Sequence, residues 1–310
     1  MEFLKRVFGQ FSSDNCSTLA AALAYYTAFA LPPLLFLLLT VLTFGMSTVY
    51  ESEQAQQKAQ QTIENQAAAM IGNQQISDEI SSILQSNRDS GGKWWKTIIS
   101  FVGILIGATG VVAALQAALN QVWEVKPDPE KSGAMDFVWK RVFSLGMILG
   151  LAFLLLVSLV VSTVLTGIGD QVGSLIGMGG FAAEVINFTV QAIVVMVVFA
   201  AIFKFMPDAE VEWRDVAVGA AITTVLFLVG RYLLQVYFQF SEPGAQLGSA
   251  AASLAVLLVW IYYTGMIVLL GAEATQVYAS MYGEGIRPEP NAVRVKESYQ
   301  RPDARKATHA

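Results

Sequence analysis

AALAYYTAFALPPLLFLLLTVLTFG, Ala21 to Gly45, reads as a membrane span with two consecutive prolines, Pro32 and Pro33, near its middle. The apolar run around it covers Thr18–Val49. At a rise of ~1.5 Å per residue such a helix would be about 48 Å long, against a hydrocarbon core of ~30 Å. A straight helix of that length needs strong tilt. The prolines have no amide hydrogen, so the carbonyls of Ala28 and Phe29 lose their usual partners, and each ring crowds the carbonyl four residues back. Leu31 is pushed away from helical angles. In lipid, freed carbonyls must be met by other protein groups or by water. Two readings stand: a kink that lets an overlong helix fit, or a helix break at Pro32 and Pro33 that lines a cavity.

Further apolar runs follow at Thr97–Asn120, Phe137–Thr166, Phe181–Met206, Arg214–Phe240 and Gly248–Ser280. Each is long enough to cross a bilayer, which takes about 20 helical residues. Of the 310 residues 55% are hydrophobic and 14% charged, against about 25% charged in a soluble domain. No run alternates with period two, so barrel strands are excluded. The expected fold class is all-α: a polytopic membrane bundle of six transmembrane helices. The first run is far longer than a signal peptide's apolar region of about 7–15 residues and is read as an uncleaved span.

Lys and Arg set the orientation. Lys5 and Arg6, then Lys126, Lys131, Lys140 and Arg141, then Lys204 and Arg214, fall on one side together with the basic tail from Arg287 to Lys306. The other side holds Lys58, Arg88, Lys93 and Lys96, all in one loop. Both termini are therefore expected in the cytoplasm, and the chain in a bacterial inner membrane as a multi-pass protein.

This divides the chain into an amphipathic N-terminal segment (1–17), a membrane domain (18–282) with an outer loop at 50–96, and a tail (283–310). In the first segment Leu4, Val7, Phe8 and Phe11 share a helical face, which suits either the headgroup layer or an ordinary juxtamembrane flank. In the loop, Ala55, Ala59, Ile63 and Met70, and then Ile76, Ile80 and Ile83, recur at helical spacing. Two short amphipathic helices are expected there, as a packed cap or as a lid or partner surface. The polar, proline-rich tail is expected to be disordered.

Polar residues inside the spans are the candidates for function. Arg231 lies about nine residues short of the outer end of the fifth run, roughly 13 Å deep. A basic residue there is costly and normally faces the bundle interior. Gln235 and Gln239 continue its stripe; Glu184, Asn187 and Gln191 share a face of the fourth run; Ser158, Ser162 and Thr166 share one of the third. These stripes converge in the outer half. Glu184 is the expected counter-ion of Arg231, either as structural glue between helices or as part of an outward-opening pocket for an anionic group. Glu273 lies roughly 38 Å from the outer end, near the cytoplasmic interface. It is expected to cap or bond a neighbouring helix, with a proton-relay role the less favoured reading.

One cysteine, Cys16, and one histidine, His309, exclude an internal disulfide and a zinc site built of several Cys or His. Cys16 reads as a small packing residue. No catalytic motif, phosphate loop or metal-spaced acidic cluster is seen, so neither an enzyme nor a cofactor or metal is expected.

The segments AAALAYYTAFALPPLL, ALNQVWEVKP, FKFMPDAEVEWRDVAVGAAITTVLFLVGRYLLQVYF and SLAVLLVWIYYTGMIVLLGAEATQVYA, in order, resemble the bacterial YihY / virulence factor BrkB family across about residues 15–285. The resemblance places Tyr25, Pro33, Asn120, Trp123, Pro207, Asp208, Arg231, Trp260, Gly271 and Glu273 on signature positions. Before the last span many members carry Tyr-Gly where this chain has Gly248–Ser249, so no role of that tyrosine carries over. The resemblance implies a six-helix inner-membrane protein linked to envelope integrity and lipid handling. The family has also carried the label ribonuclease BN; an isoelectric point near 5.0 and the lack of an aromatic-laced basic groove speak against RNA. The expected function is transporter-like handling or export of an amphipathic anionic envelope component such as a lipid, with membrane lipids as partners and no nucleic acid. The alternative is a non-transporting scaffold that docks an envelope protein on the 50–96 loop.

Overall fold

The computed structural model describes residues 1–47, 50–71, 110–130, 181–241 and 249–295, with single helical positions at 142, 146 and 150. Apart from those three positions the third predicted span lies outside these residues, as do the second half of the 50–96 loop and the first part of the second predicted span. The described elements are α1 (Glu2–Ser13), α2 (Cys16–Met46), α3 (Ser52–Ile71), α4 (Gly110–Val122), β1 (Val125–Pro127), α5 (Phe181–Phe205), β2 (Ala209–Glu210), α6 (Trp213–Ser241), α7 (Ser249–Tyr282), β3 (Arg287–Pro288) and β4 (Ala292–Arg294).

Helix α7 is the central post, packed against α2, α6 and α1. Its seam with α6 is built from glycine facing threonine. A Cβ placed on Gly219 would stand 1.7 Å from Thr275 Oγ1, and one on Gly271 would stand 1.7 Å from Thr223 Oγ1. Gly219 and Thr223 are one helical turn apart on α6, as are Gly271 and Thr275 on α7, so each threonine fills the notch of the opposite glycine. The hydroxyls are spent within their own helices: Thr223 donates to Gly219 O at 2.7 Å and Thr275 to Gly271 O at 2.9 Å. Small residues let the backbones approach where lipid offers no hydrophobic drive to associate. Gly230 opposite Tyr263 continues the seam and fixes α6 and α7 as antiparallel. Ala20 against Gly265, and Cys16 against Glu273, make α2 antiparallel to α7 as well.

Three helices among the described residues are long and apolar enough to cross a membrane: Phe188–Phe205, Trp213–Leu234 and Ala255–Tyr282. The first is the most apolar and the least buried, exposing Phe188, Ile193 and Val197. An exposed surface of that kind is at home in lipid. The chain is thus a helical membrane protein.

Helix α2 corrects the reading of Pro32 and Pro33 as a helix break. It runs as one element from Cys16 to Met46, through both prolines. Two missing amide hydrogens remove two rungs of the helical ladder, and the remaining rungs on either side hold the helix together. Its second half is backed by α3, which doubles back so that Ala59 and Ile63 pack with Leu35, Leu39 and Leu42. In the described half of the 50–96 loop the helix is therefore a packed cap, with Gln57, Lys58 and Gln61 on its exposed side.

Helix α1 docks on the end of α7, burying Val7 against Ala274 and Val277. The apolar face predicted for it divides: Val7 turns to protein, while Leu4 and Phe8 remain exposed.

The fold is not wholly helical, and the tail is not disordered from Gly283. Residues 283–295 form a strap in which β4 pairs antiparallel with β1 (Val125↔Arg294, Pro127↔Ala292) and β3 with β2 (Ala209↔Pro288). Val295 N–H donates to Glu124 O, Glu289 N–H to Asp208 O and Asp128 N–H to Asn291 O. Pro127, Pro288 and their neighbours Pro129 and Pro290 cannot donate to a ladder, which keeps the strands to two or three residues. Ile286, 4% exposed, anchors the strap in the core. The strap positions the site described next.

Candidate functional site

Polar side chains gather at two levels of the bundle. The first is where α5 and α6 face each other. Arg231, half-buried, donates from Nη1 to Gln191 Oε1 at 3.3 Å. The α5–α6 hairpin brings these two residues together as it brings Phe199 to Phe227, ring centroids 5.7 Å apart, one to two turns nearer the loop. The side chains of Glu184, Asn187 and Gln235 fall outside the described residues, as do Ser158 and Ser162 altogether. Arg231 and Gln191 are thus the pair among the sequence-selected residues whose meeting is visible.

The second level is the end where α2 and α6 begin and α7 finishes. Two residues, Asp14 and Asn15, make the elbow between α1 and α2. Asn15 sits at φ 53°, a left-handed conformation that asparagine tolerates better than most residues. Gln121 of α4 pins the elbow, its Nε2 donating to Asp14 O at 3.1 Å. Two residues beyond the end of α4, Glu124 is also left-handed at φ 52° and turns the chain into β1. Trp123, just before it, is 1% exposed and donates from Nε1 to Ala272 O at 3.1 Å. That bond fastens α4 to the central helix beside Glu273.

Asn120, one turn earlier on α4, holds the α5–α6 loop with both ends of its amide. Its Nδ2 donates to Asp208 Oδ2 at 2.7 Å, and Asp208 N–H donates to its Oδ1 at 2.9 Å. Gln116 adds a bond to Asp208 Oδ1 at 3.2 Å. A carboxylate that accepts from two amides is fixed in place, and such charge-assisted bonds are stronger than neutral ones.

Glu273 is fully buried at this level. It bonds a neighbouring helix, accepting from Cys16 Sγ at 3.4 Å. Cys16, equally buried, is both packing residue and donor. The carboxyl also hydrogen-bonds with Asp14, while no amide or hydroxyl donor among the described residues meets Oε2. Asp14 and Glu124 are the charged groups whose fields reach it, and both are acidic.

Between the elbow, α4, β1 and the strap lies a cleft of about 680 Å³, lined among others by Asp14, Asn15, Gln121, Glu124, Lys126 and Asp208. Sequence reasoning did not join these residues. Asn120 and Asp208 are 88 positions apart, Cys16 and Glu273 are 257 apart, and no local spacing links them. The available signal was that Asn120, Trp123, Asp208, Gly271 and Glu273 all fell on signature positions; they meet at this one end.

No solved structure matches the chain. Among curated proteins it is 26% identical over 274 residues to UPF0761 membrane protein PsycPRwf_0630 of Psychrobacter sp. (strain PRwf-1), covering 87% of this chain and 47% of that one. It is 25% identical to the putative ribonuclease-like protein YfkH of Bacillus subtilis (strain 168), covering 88% and 94% of the two. To a UPF0761 membrane protein of Psychromonas ingrahamii it is also 25% identical, covering 88% and 86%. It thus spans about half of the Psychrobacter relative and most of the other two. Residues 7–296 match the family described as Virulence factor BrkB, and the chain belongs to that family.

Proposed function

We propose that the chain is a six-span protein of the bacterial inner membrane with both termini in the cytoplasm, and that it handles an amphipathic anionic molecule, such as a lipid, in a transporter-like way. The observation that carries this reading is the Arg231–Gln191 bond between two apolar helices. An arginine inside a span is costly enough to mark a pathway or binding position by default. The antiparallel order of α5, α6 and α7, with α2 parallel to α6, is the order a six-span chain requires. The end bearing the cleft also carries Lys5, Arg6, Lys204, Arg214 and Arg287, which supports its assignment to the cytoplasm.

The scaffold reading draws less support, because the described part of the outer loop is spent in covering α2. Mass spectrometry of lipids retained by the purified protein tests the proposal, with wild type compared against Arg231→Ala and Gln191→Leu. Enrichment of one anionic lipid on the wild type, lost in both variants, is expected. Equal and unselective lipid on all three would sink the reading and leave Arg231 as glue between helices.

A further inference from the structure

We propose that α1 is an in-plane helix bound to the lipid surface: Leu4 and Phe8 enter the acyl boundary of the leaflet at this end, and Lys5 meets its anionic headgroups. This concerns other residues than Arg231 and rests on the proposed function only in taking that leaflet as the cytoplasmic one.

Two contacts set the direction of α1. Val7 packs on Ala274 and Val277 of α7, and Asp14, which caps the C-terminus of α1, hydrogen-bonds with Glu273. From Val7 to Asp14 the helix advances ~10 Å along its own axis. Over the same stretch its footing on α7 shifts by one to four residues, about 2–6 Å. Helix α1 therefore lies across α7 rather than along it, and α7 is a membrane span. A helix laid across a span runs close to the membrane plane.

The level follows from α7 as well. Ala274 and Val277 lie five to eight residues inward of Tyr282, the end of α7, or ~8–12 Å. Tyr282 is exposed, and so are Phe205 and Trp213, a T-shaped pair with ring centroids 5.9 Å apart where α5 and α6 meet. Asp215, in the first turn of α6, stands beside Gly283, which puts these rings at one end of the bundle. Aromatic side chains gather where headgroups meet acyl chains. Interfacial helices bury their apolar side ~5–10 Å into that boundary, and α1 sits at such a depth.

The sides of α1 match the two media. Val7, 3% exposed, is spent on α7, whereas Leu4 and Phe8, one turn apart on the flank, are 58% and 60% exposed. Arg6 is two residues from each of them, so it points away from both, and it pairs with Glu2 at 2.6 Å. With Leu4 and Phe8 in lipid, that ion pair is in water. The reverse would leave two large apolar side chains wet and two charges in acyl chains, which is far costlier. Lys5, exposed and three residues before Phe8, borders the apolar flank. Its stem can lie along the acyl chains with the ammonium raised to the phosphates. Since Arg6 is engaged by Glu2, Lys5 is the charge that α1 offers to an anionic surface.

The test is spin labelling of the full chain in nanodiscs, with a nitroxide on Leu4→Cys, Phe8→Cys or Arg6→Cys. Wild type, whose one cysteine is buried, is the blank. Each variant is first checked for an unaltered melting curve. Collision with oxygen, which partitions into lipid, is compared with collision with a water-soluble nickel chelate. The oxygen-to-nickel ratio is expected to be several-fold higher for Leu4→Cys and Phe8→Cys than for Arg6→Cys. Adding phosphatidylglycerol to phosphatidylcholine discs should raise the ratio at Phe8→Cys, and Lys5→Gln should remove that rise. Equal ratios at the three positions overturn the proposal, because the flank is then in water. Access of neither reagent to Leu4→Cys and Phe8→Cys overturns it too, because protein, such as a second copy of this chain, then covers the flank. A ratio indifferent to phosphatidylglycerol refutes the role of Lys5. All of these readouts are taken on α1 and none depends on Arg231, so failure here and failure of the proposed function are separately visible.

Discussion

Gly271→Ala is the substitution that tests the seam on which the bundle depends. The added methyl would stand 1.7 Å from Thr223 Oγ1, 2.9 Å from Thr223 Cβ and 3.2 Å from Phe203 Cζ, where ordinary contact begins near 3.4 Å. Thr223 must turn about χ1, which breaks its 2.7 Å bond to Gly219 O and drives its methyl toward the new one. Otherwise the helices must separate, and Gly219 then loses Thr275. Overpacking of this kind costs about 1–3 kcal/mol. Relief of glycine's backbone entropy returns roughly 0.5–1 kcal/mol, so a net loss of about 1–2 kcal/mol is expected. Gly9→Ala is the control: it lies in α1 with nothing within 4 Å, and stability should hold or rise. The assay is denaturant unfolding in mixed micelles, with Thr223→Gly/Gly271→Ala closing a double-mutant cycle. Thr223→Gly carries its own cost, but it vacates the space the new methyl needs, so the two changes should couple favourably by at least ~0.5 kcal/mol. If Gly271→Ala and Gly9→Ala behave alike, the close approach of α6 and α7 is wrong.

Two further outcomes follow from the end that bears the cleft. Asn120→Leu removes both of its bonds to Asp208, one of them to a charged oxygen. A loss of about 2–4 kcal/mol is expected by the same unfolding assay, and a loss under ~0.5 kcal/mol would mean that the cluster does not hold the α5–α6 loop. Cys16, fully buried against Glu273, should resist a small maleimide in the folded protein and react only on unfolding. Rapid labelling of the native protein would show that the wall behind the cleft is open.

The sequence made the class readable because membrane spans are written in composition: runs of about 20 apolar residues need no partner to be recognised. The spans at Phe181–Met206 and Arg214–Phe240 matched α5 and α6 to within a residue, since Lys204 and Arg214 mark their shared end. Pro32 and Pro33 misled for a local reason. Proline propensity describes an isolated helix, and α2 is backed by α3 and α7 along its length. The strap was hidden because its strands are two or three residues long and set in text such as RPEPNAVR, where proline and charge suppress every strand signal. The cleft was hidden by distance along the chain. Its members were each noticed or noticeable, but what joins them is the antiparallel packing of α2 on α7 and the fold-back of the strap.

The strap also bears on how the protein is made. Its strands pair with β1 and β2, in connections synthesised long before it, while α7 must first descend between α2 and α6 to bring it within reach. Until residues 283–295 leave the ribosome, the backbone groups of Glu124 and Asp208 that it later occupies stay open to water, and one wall of the cleft is missing. The strands that close this end are the last in the chain, so its ribbons complete only after α7 has been made.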